Sequence, residues 1–272
     1  MYRRRIHFAC FVLILSLTAT FATADPFRQD TGPDGIVSME AENFDLNTPR
    51  PPHTWELISV SANGFAPPNG FSGGFAMQST PADPGGGDGP NDPADFMANS
   101  PRLDYEIDFV KTGTHYVWVL AWGYDGNSDS LHSGLDNQHV PTADRISGFS
   151  NNYHWTNTAY QDPERIMIDV NSVGVHTFNI WMREDGSVID KILLTTNPDY
   201  TPTGQGPEES HRGPRVKAYD PGPADGATYL DTWATLSWAP GETAASHDAY
   251  FGENPDDVNN ATNESDVFQG NL

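Results

Sequence analysis

The sequence predicts an all-β chain, an antiparallel jelly-roll β-sandwich followed by a second, incomplete, small β domain. Three observations predict it. In Arg102–Phe109 the residues Leu103, Tyr105, Ile107 and Phe109 alternate strictly with Arg102, Asp104, Glu106 and Asp108, the two-residue period of a strand with one wet face. The run THYVWVLAW over 114–122 is apolar on both sides, as a central strand covered on two faces must be. Clusters of Gly, Pro, Asn and Asp punctuate further short apolar runs, and no ten-residue window carries a helical period, which leaves sheet packed on sheet.

Each element follows in order. Residues 1–24 read as a signal peptide: Arg3, Arg4 and Arg5 precede an apolar stretch, and Ala22-Thr23-Ala24 has the small-x-small form cut by signal peptidase. The mature chain is then expected to begin at Asp25, with no second apolar run to span a membrane, and the protein to be secreted, extracellular or at the cell surface. Residues 25–35 form an N-terminal extension. The sandwich occupies 36–197, with strands read at 36–43, 55–60, 75–79, 102–109, 114–122, 129–135, 165–170, 175–182 and 188–196. Between them, 81–95 (PADPGGGDGPNDPAD) is too rich in Gly and Pro for regular structure. Residues 198–213 read as a Pro/Gly linker, with Pro198, Pro202 and Pro207 along it. The remainder, 214–272, reads as part of another β domain, with strands at 215–219, 234–238 and 247–252; it is short for a two-sheet fold of about 100 residues.

Charge and cysteine content exclude several classes of function. The leader holds three of the 14 Lys and Arg and none of the 37 Asp and Glu, so the mature chain sets 11 cations against 37 anions, a net −26. Such a chain repels phosphate-rich partners, which argues against nucleic-acid binding. The single cysteine, Cys10, lies in the leader, so the mature chain has no disulfide, no Cys-zinc site and no thiol nucleophile.

Several motifs carry less than they suggest. Gly70-Phe71-Ser72-Gly73-Gly74 matches G-x-S-x-G, but a nucleophile elbow needs a buried strand before it and a helix after it, and this sequence supplies neither. It reads as a glycine-rich turn. The histidines show no zinc spacing, and the four aspartates of 81–95 lack the ligand spacing of an EF-hand loop. Trp118 and Trp181 are assigned to the core.

Four motifs in order carry a resemblance: Met39-Glu40-Ala41-Glu42, Thr112-Gly113-Thr114-His115-Tyr116, Gly174-Val175-His176-Thr177-Phe178 and Val188-Ile189-Asp190-Lys191-Ile192. Over 36–197 the chain resembles the galactose-binding-like β-sandwiches of family 6-type carbohydrate-binding modules. The resemblance implies that the first and last strands lie side by side and that Glu40, Glu42 and Asp190 hold a structural Ca2+, with backbone carbonyls completing an oxygen shell. Glu40 and Glu42 at i, i+2 would equally share one solvent-facing side of an edge strand. The resemblance further implies aromatic side chains on loops at one end of the sandwich for stacking on sugar rings. The candidates are Trp122, Tyr124, Tyr153 and Trp155, with Glu184 and Asp185 substituting for an asparagine that many family members carry where this chain has Ser187 and Val188. The tail is similar to the opening of fibronectin type III-like spacers. The implied function is a non-catalytic module, monomeric within a larger chain, that attaches it to a polysaccharide or oligosaccharide. The alternatives are the N-terminal part of a glycoside hydrolase or polysaccharide lyase, and a cell-surface domain adhering to another protein.

Overall fold

The computed structural model describes residues 24–82, 89–160, 162–214, 218–223, 235–242 and 244–271. The expected signal peptide therefore lies, but for Ala24, outside the described residues, as does the middle of the 81–95 loop. Among the described residues, no helix is long and apolar enough to cross a membrane.

Two sheets face each other. One runs in the order Phe27–Arg28, Arg102–Phe109, Gly174–Met182, Ser130–Leu135, Ile146–Ser147, Thr158–Ala159 and Asp162–Arg165. The other runs His154–Thr156, Gly113–Trp122, Val188–Thr195, Ala76–Thr80 and Thr54–Ile58; Met167–Val170 also pairs with Gly113–Trp122, and Val37–Glu40 pairs with Val188–Thr195. The ladders are antiparallel except where Phe27–Arg28 runs parallel to Arg102–Phe109. The alternation visible in the sequence fills the space between the sheets. Leu103, Tyr105, Ile107 and Phe109 meet Phe178 and Ile180 of the same sheet, and Val117, Val119, Ala121, Ile192 and Leu194 of the other. The face expected to be wet is only partly so, because Asp104 is buried where it accepts from Asn179 at 2.6 Å and pairs with Arg102.

Outer faces are covered as well. Trp118, Leu120 and Trp122 alternate with the inward residues of their strand, so they point away from the centre, yet all three are buried. Trp181 likewise lies on the outside of its sheet, beneath Phe96 of a helix, Pro93–Asn99. Trp118 and Trp181 are thus buried as expected, but outside the central core. The helix departs from the irregular loop expected over 81–95: Asp92 caps it by accepting from the Ala94 and Asp95 amides, Pro93 supplies a preset first turn, and Phe96 anchors it.

The segment 198–213, read as a linker, adheres to the sandwich. Ser210 exchanges hydrogen bonds with Ser38, the Glu209 carboxylate accepts from the Glu40 amide at 2.9 Å, and Arg212 pairs with Asp45 and lies 3.7 Å from the centre of the Phe27 ring. Beyond it, Tyr219–Gly222 pairs with Ser237–Ala239, and Asp248–Tyr250 with Phe268–Asn271. Three of these strands lie near the expected ones, although most of 215–219 falls outside the described residues, and Phe268–Asn271 was not expected. A helical turn at Pro255–Asn259, capped by Asn254, was not expected.

Candidate functional site

Glu40, Glu42 and Asp190 gather at one place on the outside of the second sheet. Val37–Glu40 pairs directly with Val188–Thr195, so Glu40 stands across from Lys191, whose ammonium lies 2.8 Å from Glu40 Oε1. Asp190 is the extra residue of a bulge: Ile189 and Lys191 take the ladder positions on either side of it, opposite Ala121 and Leu120. Set out of the ladder with Gly113–Trp122, its Oδ2 accepts from the Ser72 amide at 3.1 Å and from the Tyr153 hydroxyl. Ser72 Oγ donates to Glu40 Oε1 at 2.8 Å. The G-x-S-x-G segment is therefore a turn that ties to acids, and Gly73 adopts φ 63° where an added Cβ would stand 2.9 Å from Glu42 Oε1.

Electrostatically this knot is short of cations. Burial, with Glu40, Asp190 and Glu209 as like charges nearby, pushes the Glu42 carboxyl up to about 7. Burial and the neighbouring Glu40 push Asp190 up to about 6 against the opposing pull of Tyr153, Ser72 and Lys191. Glu40 Oε2, Glu42 Oε2 and Asp190 Oδ1 are buried oxygens without a hydrogen-bond partner. Among the described residues, no group of three or more acidic or imidazole side chains stands as a metal centre, and Lys191 is the cation at the centre of the knot.

Beside it opens a cleft of about 750 Å³. Tyr153 and Trp155 form its aromatic wall over Leu120, with Pro67 to Gly70 on one side and Pro202 to Gln205 on the other. Trp155 lies on a short strand, His154–Thr156, that pairs with Gly113–Trp122 and sets Trp155 opposite Leu120. Its Nε1–H donates to the Gly204 carbonyl at 3.0 Å, and the Gly206 backbone packs so closely that a Cβ there would be 2.6 Å from the ring. Gln205 Nε2 donates to the Gly70 carbonyl, joining the two walls. Both walls hang on the acidic knot, one through Ser72 and the other through Glu209.

The remaining candidates fall elsewhere, for reasons of packing. Trp122 is a correction: it is 4% exposed, stacks on Phe65 at 4.2 Å with 6° between the rings, and packs with Phe71, Ala76 and Val188 under the 59–75 loop. Glu184 and Asp185 are also buried rather than presented to a ligand. Glu184 accepts from Arg183 and from the Asp129 amide, and burial pushes its carboxyl up to about 7. Tyr124 is exposed, but it shares with Asp185 only a shallow recess with no room for a water-sized molecule. Trp155 and Tyr153 are thus the two of the four aromatics that line the cleft, while Trp122 and Tyr124 meet each other edge to face at 6.5 Å. Sequence reasoning missed Ser72, Glu209, Asn69 and Gln205. The signal for Ser72 was the glycine-rich turn itself; the 198–213 segment gave none, since proline spacing alone does not distinguish a free linker from one lying along a sheet edge.

In a comparison with known proteins, the model of the glycosyl hydrolase family 115 C-terminal domain matches residues 32–209. "Uncharacterized protein P23" of Formosa agariphila is 33% identical over 113 residues, 39% of this chain and 27% of the relative, so the chain spans about a quarter of that relative's length. Among solved structures, a family 35 carbohydrate-binding module from Clostridium thermocellum is similar at 12% identity and TM-score 0.38, over 58% of this chain and 96% of that one. The C-terminal CBM6 of LamC from Zobellia galactanivorans is similar at 15% identity and TM-score 0.34, over 59% and 99% respectively. With close to two thirds of its residues inside one family match, the chain belongs to the glycosyl hydrolase family 115 C-terminal domain family.

Proposed function

We propose that the sandwich and its adherent 198–213 segment form a non-catalytic carbohydrate-binding module, exported and attached to a larger protein, that holds it against a polysaccharide. The observation that carries this is the cleft itself, where Tyr153 and Trp155 lie on one wall and Asn69, His154, Thr203 and Gln205 supply polar groups around it. An aromatic ring offers apolar area to the C–H face of a pyranose while amide, imidazole and hydroxyl groups bond at the rim. Among the described residues the cleft lining holds no carboxylate to act as acid or nucleophile, which supports binding without hydrolysis. The family's description as a domain of glycosyl hydrolases supports attachment to an enzyme. The tail would serve as a small β spacer.

In this reading Glu40, Glu42 and Asp190 would hold a structural Ca2+. The supporting observation is the three buried carboxylate oxygens without partners, on two strands that run side by side. A bound Ca2+ would supply positive charge and hold both cleft walls to the sheet; Lys191 and Ser72 share Glu40 with it. Titration of soluble oligosaccharides chosen from a glycan array tests the function. Trp155→Ala is expected to weaken binding tenfold or more with the fold intact, and unchanged affinity for every retained glycan would overturn the assignment of the cleft.

A further inference from the structure

Resting on that reading, we infer that the cleft selects uncharged glycans and rejects those carrying carboxylate or sulfate groups. The inference comes from where the cations are. Among the described residues, no Lys or Arg lines the cleft. The described cations are committed elsewhere: Arg28 to Asp108, Arg102 to Asp104, Arg145 to Asp144, Arg183 to Glu184, Lys191 to Glu40 and Arg212 to Asp45. Arg50, Lys111 and Arg165 donate to the carbonyls of Ala98, Gly32 and Pro198. A uronate or sulfate seated on Trp155 would give up its hydration without a guanidinium or ammonium to replace it, the most expensive way to bury an anion.

The surroundings add repulsion. Asp190 bonds the hydroxyl of Tyr153 from behind the wall, Glu40 and Glu42 stand beside it, and Glu209 anchors the far wall. Even with a divalent cation in the knot, three carboxylates, one ammonium and two added positive charges sum to zero, leaving no excess to attract an anion. The formal charge of −23 over the whole chain works in the same direction at long range. The groups that do face the cleft, the amides of Asn69 and Gln205, the Thr203 hydroxyl and the His154 imidazole, suit sugar hydroxyls, which donate and accept.

Affinity electrophoresis of the whole chain at pH 8 tests this, in gels containing a neutral polymer (β-1,4-glucan, β-1,4-xylan, mannan or β-1,3-galactan) or an anionic one (polygalacturonate, alginate or carrageenan), with calcium and with EDTA. The expected result is retardation by at least one neutral polymer, unchanged between 20 mM and 500 mM NaCl and lost in Trp155→Ala, and none by the anionic set. Retardation by an anionic polymer that Trp155→Ala abolishes would overturn the inference while leaving the carbohydrate-binding reading in place. Retardation by no polymer, or retardation indifferent to Trp155→Ala, would overturn both.

Discussion

Truncating Trp122 should cost stability, whereas truncating Trp155 should cost affinity. Trp122 is 4% exposed and stacks on Phe65, the rings 4.2 Å apart and nearly parallel. An aromatic side chain buries about 150–250 Å², which at about 25 cal/mol per Å² is worth about 4–6 kcal/mol against full exposure. Measured truncations of buried Phe and Trp run about 3–5 kcal/mol because the surroundings partly relax. Here the 59–75 loop, which contributes Phe65 and Phe71, can settle inward, so the lower half of that range, about 3–4 kcal/mol, is expected for Trp122→Ala. With a slope of about 2 kcal/mol per M in urea, the unfolding midpoint falls by about 1.5–2 M. Trp155 stands half-buried at the cleft, and Trp155→Ala should move the midpoint by less than about 0.5 M. Urea unfolding followed by tryptophan fluorescence and circular dichroism measures both. If Trp122→Ala unfolds with the wild type, the ring is not a packed side chain and its place under the 59–75 loop is refuted.

Three further outcomes are expected. Calcium should raise the melting temperature and EDTA lower it, by mass action on the folded state alone, and Asp190→Ala should remove the difference; a wild-type melt indifferent to both would refute the cation. Because burial raises the Glu184 carboxyl from its ordinary 4.5 to about 7, the folded chain keeps a proton there that the unfolded chain has released, so its contribution falls as pH rises from about 4.5 to 7 and is level above that. Glu42 and Asp190 act with the same sign, so the measurement is the wild-type minus Glu184→Gln difference in unfolding free energy between pH 5 and 8, and a difference independent of pH would contradict it. Gly206→Ala meets both a φ of +76° and the Trp155 ring, and should weaken glycan binding by displacing that ring while leaving the urea midpoint within about 1 M; unaltered affinity would show that Gly206 does not set the ring's position.

What the sequence made legible was whatever depends on local alternation. The long strands Arg102–Phe109, Gly113–Trp122, Gly174–Met182 and Val188–Thr195 lie within a residue of their expected bounds, since each carries its own period. Short strands such as His154–Thr156 and Ile146–Ser147 were missed, because two or three residues hold no period and their pairing is dictated by the strand beside them. The same gap misplaced Trp122. Its strand ends in a loop, which suggested exposure, but the loop that covers it comes from 59–75 and leaves no mark near position 122. Glu40, Glu42 and Asp190 were gathered by resemblance, whereas Ser72 and Glu209, which complete their surroundings, arrive from distant loops.

The bulge at Asp190 has a consequence for how this site changes. Without that residue the strand would read Val188, Ile189, Lys191, Ile192, Leu193, Leu194, an unbroken outward-inward alternation in which every core residue keeps its present face. Against Gly113–Trp122, Asp190 is thus an inserted residue, while on the other side its carbonyl accepts from the Ala41 amide. A carboxylate held this way can be exchanged, or dropped with its residue, without reversing the side chains that follow, whereas losing any ladder residue would turn the rest of the strand inside out. The acid that ties Tyr153 and the Ser72 turn to the sheet can therefore change without reversing the side chains that fill the core, so the cleft can be altered while the strand keeps its inward face.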